Sequence, residues 1–134
     1  MAKVGIIGGG AAGMFAAVWA AGFGHEVHLY EQNEKLGKKL FITGKGRCNF
    51  TNACSVEEFL QNIVSNAKFM YSSGYGFTSQ DVMDFFEQHH VPVKVERGNR
   101  AFPASDHSSD IIRGLEQAMK EAGEPVISFG AGEP

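Results

Sequence analysis

Gly8-Gly9-Gly10-Ala11-Ala12-Gly13 fits the spacing G-x-G-x-x-G, and Glu31 follows the last of these glycines by 18 residues. Those residue types at that spacing can hold a dinucleotide. Gly8 permits a tight turn out of a strand, Gly10 lets a pyrophosphate approach bare backbone, and Gly13 lets a helix pack closely on a sheet. The phosphates then face the unpaired N–H groups that Ala11, Ala12 and Gly13 present at the positive end of that helix. A carboxylate at the end of the next strand accepts hydrogen bonds from ribose hydroxyls and repels a 2′-phosphate. The pattern argues for FAD or NAD over NADP and leaves FAD against NAD open. Taken by itself, Glu31 is also readable as a solvated charge at a strand end.

A second constellation, "KKLFITGKGRCNFTN" from Lys38 to Asn52, gathers cations and glycines around Cys48. It is not a Walker A loop: six residues separate Gly37 from Gly44-Lys45, where four are needed, and Gly46 follows the lysine instead of Ser or Thr. Nor is it a thioredoxin-type pair, because the only other cysteine, Cys54, lies six positions on. Two readings stand. Either the loop brings Gly44, Gly46, Arg47 and Asn49 to a cofactor, or it is a structural loop whose arginine pairs with a nearby acid. Cys48 is a small polar filler or a redox thiol, and no resolving cysteine favours the second. His89-His90 reads as the polar end of a helix, not as a metal pair, and no metal site is expected.

These residues must be positioned by regular elements. "KVGIIG" from Lys3 is a β-branched run ended by glycine, a buried strand. The alanine-rich stretch Ala11 to Ala21 places Met14, Phe15 and Val18 at helical spacing, with Gly22 and Gly24 as its stop. "EVHLYE", Glu26 to Glu31, alternates as a second strand. Strand, helix and strand form a βαβ unit with parallel strands and a right-handed crossover. Gln32 to Ala53 reads as loop with at most a short helix. Capping-box spacings at Ser55 and Thr78 open two further helices, the first running to about Asn66. "VPVKVE", Val91 to Glu96, is a strand that Pro92 confines to an edge or a strand start. Asp106 to Glu121 is a third long helix stopped by Gly123, and Val126 to Phe129 is a weak last strand. Phe69, Tyr71, Tyr75 and Phe77 surround Gly74 and Gly76, a patch that either covers a ligand or packs beneath a loop.

The chain of 134 residues, 43% hydrophobic and 20% charged, suits one compact α/β domain. A formal charge of −3 provides no global field for nucleic acid or an anionic membrane, so neither partner is expected. Two cysteines without repeated spacing suggest reduced thiols, and no apolar run approaches the length of a membrane span. Met1-Ala2-Lys3 leads directly into a strand, so no leader is expected, and the expected location is cytoplasmic.

Between Leu36 and Asn52 the chain matches every position of a pattern L-G-[KR]-K-[LF]-x-x-[ST]-G-x-G-[RK]-C-N-x-[ST]-N, behind the glycine-rich βαβ unit. It thereby resembles the aminoacetone-oxidase-like (BaiN/YhiN-type) bacterial NAD(P)/FAD-dependent oxidoreductases. "ERGNRAFPASDHSSDII", Glu96 to Ile112, is similar to a second block of that family, departing from it at His107-Ser108-Ser109. The resemblance implies a Rossmann-like FAD/NAD(P)-binding domain with a parallel sheet, covering residues 1–123 and incomplete relative to the family, followed by an atypical tail at 124–134. It further implies that Gly8, Gly10 and Gly13 hold the FAD pyrophosphate, that Glu31 binds the adenosine ribose, and that Ala11, Ala12 and Gln32 also contact the cofactor. Lys38 and Lys39 would continue along the cofactor, with Gly44, Gly46, Arg47, Cys48 and Asn49 approaching the isoalloxazine. The tail "GEPVISFGAGEP" departs from the strand expected there, and its likeness to an aminotransferase opening is read as coincidence. The resulting expectation is the FAD-binding part of a flavin-dependent oxidoreductase of a small molecule, with NAD(P)H as a candidate second partner. The alternative is a nucleotide-binding domain or truncated remnant without turnover. No catalytic acid–base pair is nominated.

Overall fold

The computed structural model describes residues 1–130. In chain order the elements are β1 (Lys3–Ile7), α1 (Ala11–Gly22), β2 (Glu26–Glu31), α2 (Lys38–Ile42), β3 (Thr51–Asn52), α3 (Val56–Gln61), α4 (Tyr71–Gly76), α5 (Ser79–Gln88), β4 (Val93–Glu96), β5 (Arg100–Pro103), α6 (Ser108–Ala122) and β6 (Val126–Phe129). A short 3-10 segment, Thr43–Gly46, follows α2 directly, and two more lie at Ala67–Met70 and Arg97–Asn99.

The βαβ unit forms as its pattern demands. β1 and β2 are parallel, with Val4 opposite Val27 and Ile6 opposite Leu29. β6 lies parallel on the other side of β2, with Ile127 opposite Leu29, giving the order β1-β2-β6. The segment set apart in sequence as a tail therefore supplies the third strand of the main sheet. Gly130 continues the tie by donating its N–H to the Glu31 carbonyl at 3.0 Å. The last four residues of that segment, 131–134, lie outside the described residues.

Alternation makes one face of this sheet apolar, and α1 and α6 bury it. Met14, Ala17 and Ala21 of α1 recur at helical spacing and join Ile111, Leu115, Ala118 and Met119 of α6 over Val27 and Leu29. Alanine on α1 keeps the two helices close, and Gly114 of α6 has no room for a side chain against Val91 and Phe86. Among the described residues nothing covers the second face: Lys3, Gly5 and Ile7 are exposed, Ile7 at 86%.

The second sheet was not foreseen. β3, β5 and β4 form a small antiparallel sheet in that order, which puts β4 at an edge as Pro92 requires. β5 escaped the reading because "RAFP" is only four residues long and ends in proline. The hairpin that makes it is signalled by "RGN", where Gly98 and Asn99 adopt φ of +77° and +59°. α3 ends at Gln61, short of the expected Asn66. The Asn62 amide donates to the Glu58 carbonyl at 2.8 Å, and Val64 is wholly exposed, so no apolar stripe carries the helix on. α5 opens with the expected capping box between Thr78 and Asp81. α6 begins two residues after the expected Asp106, which has φ of +63° and serves the loop instead.

Candidate dinucleotide-binding site

The turn from β1 into α1 needs its glycines for separable reasons. Gly8 has φ of +102° and donates its N–H to the Tyr30 carbonyl at 2.7 Å, closing the end of the sheet. A Cβ on Gly13 would run into the Gly8 carbonyl oxygen, so that glycine is a packing requirement. A Cβ on Gly10 would meet nothing within 4 Å, which leaves an open face over the helix start. Gly10 is also the N-cap of α1 and supplies no side-chain cap, while its carbonyl accepts the Met14 N–H at 2.9 Å. The first-turn N–H groups of Ala11, Ala12 and Gly13 thus have no intrahelical partner, and they define the positive end of the helix.

Glu31 sits beside this turn, only 7% exposed. Its Oε1 accepts the Gly9 N–H and its Oε2 the Asn33 N–H, each at 2.7 Å. The Asn33 and Gly9 N–H groups hold the carboxyl below the usual glutamate range, against the opposing effect of burial. Glu31 is therefore an ionised, oriented carboxylate and not a solvated strand-end charge. Sequence reasoning missed both of its partners. Gly9 occupies an "x" of the motif, yet a side chain there would collide with Leu36. Asn33 lies two residues past the acid, and only the turn geometry reveals its N–H.

A cleft of about 920 Å³ opens here, lined by Gly8, Gly10, Ala11, Glu31 and Gln32 together with Lys38, Lys39 and Thr43. Gly37, at φ of +72°, brings α2 into place by donating its N–H to the Gly9 carbonyl at 2.8 Å. A second cleft of similar size shares Gln32, Asn33 and Lys38 and adds an apolar wall of Leu36, Phe41, Ile112 and Phe129.

The remaining sequence-predicted residues, Gly44, Gly46, Arg47, Cys48 and Asn49, are not among the walls of either cleft. Arg47 donates from Nε to Asp106 at 2.8 Å and from Nη2 to Glu96 at 2.6 Å, and lies 4.0 Å above the Phe102 ring. Of the two roles left open for this arginine, pairing with acids is the one its guanidinium occupies. Cys48 is wholly buried with φ of +60°, and burial pushes its thiol up to about 11. A neutral thiol in a core is a poor nucleophile, which favours the filler reading. Asn49 donates its amide to the Thr51 and Ala101 carbonyls, both at 3.0 Å, tying the loop to the small sheet. The aromatic patch does not close over these clefts, and Phe69, Tyr71 and Tyr75 remain exposed. His89 caps α5, its Nδ1 2.8 Å from the Phe85 carbonyl.

A parallel sheet with a glycine turn, an uncapped helix start and an acid at the second strand end defines a Rossmann-type dinucleotide-binding domain. Comparison with known proteins agrees: the chain belongs to the HI0933-like protein Rossmann domain family, which it matches over residues 2–128. It is 35% identical over 130 residues to a 3-dehydro-bile acid delta(4,6)-reductase of Clostridium scindens, covering 90% of this chain and 29% of that protein. It is 38% identical over 86 residues to the ribosomal RNA dihydrouridine synthase of Escherichia coli, covering 64% of this chain and 21% of that one. The chain thus spans less than a third of the length of either relative. Among solved structures, Thermovibrio ammonificans THI4 superposes with a TM-score of 0.58 at 14% identity, covering 96% of this chain and 37% of that one. That last likeness concerns the fold alone. Among the described residues no helix is long and apolar enough to cross a membrane.

Proposed function

We propose that this chain is the FAD-binding part of a flavin-dependent oxidoreductase. The observation that carries the reading is the oriented Glu31 carboxylate beside the uncapped start of α1, in a cleft that Lys38 and Lys39 also line. The α1 N–H groups and the two lysines suit a pyrophosphate, and the open face of Gly10 leaves room for it. Glu31 keeps lone pairs beyond its two N–H bonds and can accept from ribose hydroxyls. The apolar wall of Leu36, Ile112 and Phe129 in the adjoining cleft suits an adenine ring.

These groups serve FAD and NAD alike; the Leu36-to-Asn52 signature tips the reading to FAD. When bound, the flavin supplies hydride chemistry. The chain's own residues bind and orient its adenosine diphosphate half. The relatives are named for acting on a bile acid and on ribosomal RNA. We take the substrate here to be a small molecule and the electron donor to be NAD(P)H; this chain's own charge of −3 supplies no attractive field for nucleic acid. The two free cysteines, Cys48 and Cys54, suit a reducing cytoplasm.

A second reading, binding without turnover by this chain, is favoured by one feature. The groups that line the Glu31 cleft, Glu31, Lys38 and Lys39 beside the start of α1, suit the adenosine diphosphate half and not the ring that reacts. Assaying NAD(P)H oxidation by the purified chain with added FAD separates the two readings. For the cofactor itself, Glu31→Ala is expected to weaken FAD and NAD by about 1.5–3 kcal/mol, roughly ten- to hundredfold. Unchanged affinity for both would remove the ribose role.

A further inference from the structure

We propose that Arg47 is a positioning residue that sets the wall of the Glu31 cleft from a distance, without touching the cofactor. The inference rests on the dinucleotide reading of that cleft. Its starting point is a backbone that should not hold its shape unaided. Gly44, Lys45, Gly46 and Cys48 all adopt left-handed φ, at +60°, +57°, +85° and +60°. Two of the four are not glycine, and such conformations persist only where the surroundings over-determine them.

The surroundings here are a four-charge cluster. Arg47 pairs with Glu96 and Asp106, and Lys94 bridges the same two carboxylates at 3.0 and 2.8 Å. Phe102 supplies a floor under the guanidinium. Two cations meet two anions, so the cluster is internally neutral. Its members come from the loop after α2, from β4 and from the turn before α6. A single exposed pair contributes little, but a network with a stacked, forked guanidinium fixes geometry that separate pairs do not.

The route to the cleft is short. The Arg47 N–H bonds the Gly44 carbonyl at 3.1 Å and the Cys48 N–H bonds the Thr43 carbonyl at 3.0 Å. Thr43 in turn donates its hydroxyl to the Lys39 carbonyl at 2.9 Å. Thr43 and Lys39 are cleft walls, so holding the left-handed loop holds the α2 residues that line the Glu31 cleft. The Ser108 hydroxyl pins the same helix from the other side through the Phe41 carbonyl at 2.7 Å.

The test compares the 134-residue chain with Arg47→Ala, with Glu96→Gln/Asp106→Asn, and with all three changes combined. Amide hydrogen exchange without ligand is read first. The Arg47 and Cys48 amides should exchange at least about tenfold faster in both variants, while the Gly8 amide in the main sheet keeps its protection. Unchanged loop protection in either variant overturns the proposal. If Arg47→Ala fails to fold, the carboxylate variant alone decides. FAD titration is read second. Positioning predicts that both variants lose affinity by a similar factor and that the combined variant loses no more. A cofactor contact by Arg47 predicts the opposite sign for the carboxylate variant, because freeing the guanidinium would keep or raise affinity, and that result also overturns the proposal. If the unaltered chain binds no FAD, the cofactor reading fails and exchange still decides whether Arg47 holds the loop.

Discussion

The glycine turn with Glu31 and the loop from Gly44 to Asn49 are both rich in glycine and lined by charge, yet they spend their polar groups differently. In the first, α1 begins without a cap, Lys38 and Lys39 have no salt-bridge partner among the described residues, and Glu31 keeps acceptor capacity. In the second, Arg47 is committed to Glu96 and Asp106, Asn49 to two carbonyls, and Cys48 to the core. The first region has hydrogen-bonding capacity left for a ligand. The second has used its own to hold a strained backbone. Composition alone does not separate a binding loop from a scaffold loop; the partners of each charge do.

The largest expected effect lies in the turn. Gly13→Val should destabilise the chain by about 3 kcal/mol, because the new side chain meets backbone that cannot yield. A denaturant melt measures this. Gly46→Ala, at a position with open space but φ of +85°, should cost about 1 kcal/mol. Equal losses would break the contrast between a packed glycine and a merely left-handed one.

Glu31 comes next, because its carboxylate ties the turn together as well as lining the cleft. Its folded pKa lies below the ordinary value, so its contribution is full above the unfolded pKa and is lost as pH falls through the folded one. Stability followed from pH 6 down through the glutamate range should therefore fall. Glu31→Gln should flatten that limb, at a cost of about 1–2 kcal/mol at neutral pH. An acid limb of unchanged depth in the variant would show that the carboxylate is not held as described.

A smaller effect is expected at the lysines. Lys38→Ala with Lys39→Ala should lower FAD affinity by about 1 kcal/mol at low salt, and the difference should shrink as salt screens exposed charge. Salt-independent loss would mean that the lysines act through packing. The smallest is a difference in reactivity. At neutral pH a thiol reagent should modify the partly exposed Cys54 and spare Cys48 until the chain unfolds. Two fast-reacting thiols in the folded chain would show that the loop opens readily.

What was legible in the sequence follows the same division. The βαβ unit, its glycines and Glu31 are local features, set by alternation, helical spacing and one acid at a strand end. The small sheet was not legible, since β3 has two residues and β5 only four. The commitment of Arg47 was not legible either, because its carboxylates lie 49 and 59 positions away and only the fold brings them to it. The strand Val126–Phe129 reads as weak in the sequence, yet pairing with β2 gives it a place in the main sheet.

The central claim is that the cleft recognises the adenosine diphosphate half of the cofactor. Titrating the 134-residue chain with FAD, ADP and FMN tests it most directly. FAD and ADP should bind with similar affinity, weaker than about 1 μM because the sheet leaves one face bare. FMN should not compete, and Glu31→Ala should weaken FAD and ADP together. FMN binding as tightly as FAD, with ADP showing none, would contradict the account.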